Sequence, residues 1–154
     1  MTHLDERVGK REDQRREERF MIKERAMELI AALRSGKYKQ GREYLEVEDR
    51  NCCLGVACRL MPDLPAEIIR NNDAPLIPTS FGKNFNTELL PLEVALFFRF
   101  QDSMGGFYRS RVRWPKSIEK HSAFRKQSSL AELNDSGATF EQIADFIELN
   151  WEVL

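Results

Sequence analysis

The chain has 154 residues, 42% of them hydrophobic and 32% charged, with a net charge of −1 at pH 7. That is enough apolar chain for one compact domain with a real core, and too little net charge to draw the whole molecule to nucleic acid or a membrane. No apolar run nears the roughly 20 residues of a transmembrane helix. MTHLDERVGKRED at the N-terminus lacks an apolar signal stretch, and three cysteines, two of them adjacent, make a poor disulfide framework. The expected setting is a reduced cytoplasm, away from membranes.

The even charge hides an asymmetry. Arg99–Lys126 carries eight Lys/Arg against two Asp/Glu, a net of +6, whereas Gln127–Leu154 carries six Asp/Glu and no Lys/Arg, a net of −6.

Residues 5–34 predict a long helix in two halves. Gly9–Arg19 has no apolar residue, and acid-first pairs such as Glu6/Lys10 and Glu12/Arg16 suit a solvated helix. Residues 1–19 are therefore expected as a charged, projecting arm, and residues 20–154 as the globular domain. From Ile22 onward, Ala26, Leu29, Ile30 and Leu33 recur at helical spacing and make one apolar face. Ser35-Gly36 supplies the stop, with Gly36 at the left-handed position. Tyr44–Glu48 predicts a short strand. Asp49 or Asn51 then caps a helix through NCCLGVACRLM, which Pro62 ends. That helix is apolar nearly all round and belongs in the core. Gly55 within it costs about 1 kcal/mol against Ala, which predicts a close backbone crossing there.

Pro65 opens a further short helix, and residues 73–90, with Pro75, Pro78 and Gly82, predict a long loop. Pro91 begins another helix, with Leu92, Ala95, Leu96 and Phe100 expected toward the core and Val94 and Phe98 flanking. FYRSRVRW, from Phe107 to Trp114, alternates in part and predicts an edge strand with Arg109, Arg111 and Arg113 on its solvent side. Residues 117–127 read equally as weak helix or loop. Ser129-x-x-Glu132 and Thr139-x-x-Gln142 are two capping boxes separated by Gly137, so a C-terminal helical hairpin is expected. The fold class is a helix-rich α+β single domain with a buried Cys-rich helix and a short strand pair.

Three stretches carry a resemblance: LRSGKYKQG from Leu33 to Gly41, CCLGVAC from Cys52 to Cys58, and LAELNDSGATF from Leu130 to Phe140. In that order they resemble a group of small, uncharacterised proteins encoded by bacteriophages and prophages. The resemblance implies a phage setting, with the host cell cytoplasm as location, and an accessory protein acting on host or phage machinery. It carries over no catalytic residue.

Cys52, Cys53 and Cys58 do not have the spacing of a structural zinc site and, on a helix, Cys52 and Cys53 point about 100° apart. Core packing is the expectation, with no metal and no cofactor. His121 has no nucleophile or orienting carboxylate identifiable from spacing, so no catalytic residue is assigned. Gly82-Lys83 and Gly105-Gly106 match no phosphate-loop pattern and are expected as turns. Thr139–Leu149 could begin a helix-turn-helix, but no chain remains for a groove-reading helix. The candidate binding residues are Tyr108, Arg109, Arg111, Arg113, Trp114 and Lys116, where arginine interleaved with aromatic rings suits phosphate contact and base stacking. Against that stands pairing of the basic segment with the acidic C-terminal helices. The expected function is a non-enzymatic accessory protein whose partner is a host or phage protein, a role that includes inhibition of host machinery or defence. The alternative is binding of nucleic acid or an anionic nucleotide through residues 99–126.

Overall fold

The structure is a computed structural model that describes residues 20–62 and 89–154. The expected arm at 1–19, the helix from Pro65 and all but the last two residues of the 73–90 loop lie outside them. Helix α1, Lys23–Arg34, buries Ala26, Leu29, Ile30 and Leu33, the face its spacing predicts. It ends as expected, with Ser35 at the cap and Gly36 at φ +74°.

Three two-residue strands follow: β1 Lys39–Gln40, β2 Glu46–Val47 and β3 Arg50–Asn51. Their order is β1-β3-β2, with β1 parallel and β2 antiparallel to β3. In place of an expected strand pair there is a three-stranded sheet, and the arginine-rich stretch takes no part in it. Because Asn51 is held in β3, neither it nor Asp49 caps the next helix. Helix α2, Cys53–Leu60, is capped by Cys52, whose sulfur accepts the Gly55 N–H at 3.4 Å. Met61 leaves the helix at ψ 122°, the extended conformation that a following proline imposes. α2 contacts both α1 and the C-terminal hairpin, so the cysteine-rich stretch is the scaffold between them.

Helix α3, Leu92–Phe98, corrects the expected face. Val94, Ala95 and Phe98 are buried, while Leu92 and Leu96 are 64% and 66% exposed. The helix is apolar on most sides, so periodicity did not choose among its faces. Tertiary contacts do: the Phe98 carbonyl accepts the Ile22 N–H, and its ring stacks on Phe100 at 5.3 Å. Arg99 in the left-handed conformation ends the helix, and Phe100 reaches the core from beyond it.

Residues 117–127 largely form two single-turn helices, α4 Lys116–Glu119 and α5 Ser122–Arg125. The hairpin follows as α6, Leu130–Asp135, and α7, Phe140–Asn150, which continues into a 3-10 turn at Trp151–Val153. Thr139 and Gln142 form the complete capping box. At α6 only half forms: Ser129 accepts the Glu132 N–H, but the Glu132 carboxylate turns to the Ser128 N–H. α7 lies chiefly against α1. No helix among the described residues is long and apolar enough to cross a membrane.

The three stretches behind the resemblance meet at one side chain. Asn134, fully buried on α6, accepts from the Gln40 amide at 3.0 Å and the Cys53 N–H at 3.1 Å, and donates to the Gly41 carbonyl at 2.8 Å. One carboxamide thus ties the sheet, the cysteine helix and the hairpin together.

Candidate nucleic-acid interface

Phe107–Trp114 is not a strand, which corrects the alternation argument. Gly106 makes an isolated bridge to Ser129, and the Phe107 N–H donates to Ser128. The chain then turns, with the Arg111 N–H donating to the Tyr108 carbonyl at 2.9 Å. Beyond the turn the backbone is clamped by a side chain. The Arg113 N–H donates to Asn150 Oδ1 and the Arg113 carbonyl accepts from Asn150 Nδ2, both at 2.7 Å. Asn150 therefore does for Arg113 what a neighbouring strand would do. The stretch is anchored through Phe107, whose ring lies 4.9 Å from Phe146, and through Trp114, 5.2 Å from the same ring. Arg109, Arg111 and Arg113 remain exposed, as expected, but on a turn and a clamped segment.

The acidic C-terminal helices do not neutralise this segment. Arg34, from α1, takes three carboxylates of α7: Glu141 at 3.3 Å, Asp145 at 2.7 Å and Glu148 at 2.6 Å. Hydrogen bonds to Glu148 and Asp145 hold the guanidinium pKa well above its ordinary value. Glu132 accepts from Ser128, and Asp135 accepts the Glu43 N–H at 2.8 Å. Five of the six C-terminal carboxylates thus have partners other than the cations of the basic segment, although Asp145 also accepts the Ser117 hydroxyl at 2.8 Å. Among the described residues, no salt bridge involves Arg109, Arg111, Arg113, Lys116, Lys120, Arg125 or Lys126.

Part of the segment closes into an open cleft of about 500 Å³, lined by Arg109, Ser110, Trp114, Ser122, Arg125 and Lys126. Of the six residues expected to bind, Arg109 and Trp114 line it. Tyr108, Arg111, Arg113 and Lys116 do not; the Arg111 guanidinium lies 5.3 Å from the Tyr108 ring centre. Arg125 and Lys126 line the cleft too, from within the basic segment 99–126 but outside those six, while Ser110 and Ser122 were missed because an uncharged hydroxyl adds nothing to a charge pattern. Asn150 was legible only as an exception, since it falls on the apolar face of α7, where a polar residue needs a partner, and Arg34 reads as an ordinary basic residue in the last turn of α1.

Gly82-Lys83 lies outside the described residues, and the remaining candidates resolve as packing and turns. Gly105-Gly106 is shaped by Asp102, whose carboxylate accepts the Met104 and Gly106 N–H groups at 2.9 and 2.8 Å. His121 is exposed between α4 and α5, its ring 4.9 Å from Phe124. The three cysteines are free and buried. Among the described residues, no group of three His, Cys, Asp or Glu could hold a metal ion.

Burial pushes the Cys52 thiol from 9.0 up to about 11, and raises those of Cys53 and Cys58 well above the ordinary thiol value. Two results are expected. A thiol reagent at pH 7 labels none of the three in the native protein and all three in denaturant. Stability also falls as pH rises past about 9, because the unfolded chain then loses thiol protons that the folded chain keeps. The limiting slope is about 1.4 kcal/mol per pH unit per thiol. Denaturation at pH 8 and pH 10 checks this, and Cys53→Ala with Cys58→Ala should flatten the dependence.

The sequence profile of a domain of unknown function, DUF8296, matches residues 20–151, a span that includes the cleft, the Asn134 junction and the Arg34 cluster. The chain belongs to the DUF8296 family. No curated protein and no solved structure matches it.

Proposed function

We propose that the protein acts by binding, without catalysis or a cofactor, and that its ligand is nucleic acid held on the basic face from Arg109 to Lys126. The supporting observation is the commitment of the C-terminal carboxylates to Arg34, Ser128 and Glu43. It leaves seven cations without an ion-pair partner among the described residues, next to Tyr108 and Trp114. Unneutralised cations release counterions when they meet phosphates, so binding weakens steeply with salt. The setting we propose is the cytoplasm of a phage-carrying host, where the protein serves an accessory role.

A labelled single-stranded oligonucleotide should bind at low salt. Arg109→Glu with Arg111→Glu and Arg113→Glu should weaken binding at least tenfold and flatten the salt dependence by about 0.7 in slope per lost contact. If the wild-type protein binds no oligonucleotide at low salt, the reading fails. The partner is then a host or phage protein, a reading favoured by Leu92 and Leu96, exposed one turn apart on α3.

A further inference from the structure

The basic face is not uniform. The cleft at Arg109, Ser110, Trp114, Ser122, Arg125 and Lys126 gathers three cations, two hydroxyls and an indole, and no carboxylate lines it. Its volume of about 500 Å³ falls within the range of small-ligand sites. A single phosphate would leave most of that space empty, whereas a nucleotide would use both the cations and the ring.

Both recognition elements are held in place before any ligand arrives. Arg109 donates from Nη1 to the Lys126 carbonyl at 3.3 Å, which fixes its guanidinium beside that residue. Trp114 is braced by Phe107 at 6.2 Å and by the fully buried Phe146 at 5.2 Å. A platform backed by buried aromatic rings loses little freedom when a base stacks on it.

We infer that this cleft is a single-nucleotide pocket, with an unpaired base against Trp114 and its phosphate among Arg109, Arg125 and Lys126, and that the bound nucleic acid is therefore single-stranded. The inference rests on the nucleic-acid reading above and narrows it. In a duplex both faces of every base are covered by neighbours, so no base can reach Trp114 without leaving the stack. Arg111 and Arg113, exposed but outside the cleft, serve the adjoining backbone and contribute no contact to the pocketed nucleotide.

The test uses Trp151→Phe protein, in which Trp114 is the remaining tryptophan, with its fold checked by circular dichroism. The probes are adenosine monophosphate, a single-stranded oligonucleotide, and the same sequence as a duplex. Trp114 fluorescence should be quenched by the nucleotide and by the single strand, and the single strand should bind at least tenfold tighter than the duplex. Arg109→Gln with Arg125→Gln, both at exposed positions, should abolish quenching by the nucleotide. Arg111→Gln with Arg113→Gln should weaken the oligonucleotide but leave nucleotide quenching intact. Oligonucleotide binding without a change in Trp114 emission, or equal affinity for strand and duplex, would overturn the pocket while leaving the broader reading in place. Absence of binding by either oligonucleotide at low salt removes the broader reading and the pocket with it.

Discussion

Gly55→Ala should destabilise the protein by about 3 kcal/mol or more, at the upper end of overpacking effects. A Cβ built on Gly55 would lie 2.7 Å from the carbonyl carbon of Leu45, and nearer still to its oxygen. The obstacle is backbone, so no side-chain rotation relieves it. The Leu45 carbonyl is itself engaged, accepting the Cys52 N–H at 3.3 Å, and Leu45 is fully buried. To admit one methyl group, α2 would have to move off the segment leading into β2, opening the core on the side of Leu54 and Val56. Alanine is the better helix former by about 1 kcal/mol, so propensity alone predicts stabilisation. Urea denaturation decides between the two: an unchanged or raised midpoint would refute the close crossing.

The second large effect is expected at Asn134. Replacing it with leucine, close to it in size, removes the acceptor for the Cys53 N–H and the donor for the Gly41 carbonyl. Gln40 is less affected, since its amide also donates to the Ala138 carbonyl at 2.7 Å. A buried group left without a partner costs about 1–3 kcal/mol and the Gly41 carbonyl is only partly buried, so Asn134→Leu should cost about 2–4 kcal/mol. Asn134→Asp makes a sharper test. It keeps the acceptor but turns the Gly41-facing donor into a charged oxygen beside Asp135. Burial and that neighbour raise the new carboxyl's pKa in the folded state, so its protonated form is the tolerated one. Stability of this variant should therefore fall as pH rises through the folded pKa, and recover on acidification toward pH 5. A variant equally stable at pH 5 and pH 7 would show that the Gly41 bond does not need the amide.

Both sites bear on what could be read in advance. Gly55 was legible because a glycine inside an apolar helix contradicts local propensity, and such a contradiction needs a tertiary cause. The cause itself, Leu45, was not legible, since nothing in residues 52–61 says which backbone crosses them. Asn134 was hidden in a stretch that reads as an ordinary capped helix, because its partners lie about ninety residues away. Likewise, the candidate arginines were correctly placed on the surface, but the strand assigned to them was wrong. Alternation over eight residues does not distinguish a ladder from a turn followed by a side-chain clamp, and Asn150 made the difference.

By itself the sequence determined the elements with strong local signals: α1 with its Gly36 stop, the cysteine helix ended by Pro62, and the hairpin whose second helix is capped by Thr139 and Gln142. Those signals lie within a few residues of the structure they specify, so no distant contact is needed to read them. Only the tertiary structure decided which face of α3 is buried, which side chain joins the three stretches, and where the charges go. Net charges of +6 and −6 on adjacent segments suggested mutual neutralisation. Charge counts carry no geometry, and Arg34, more than a hundred residues before its acids, is the group the fold brings within 3.3 Å of Glu141, Asp145 and Glu148. Together with the bonds of Glu132 to Ser128 and of Asp135 to Glu43, that placement leaves the arginines of 109–125 without an ion-pair partner among the described residues.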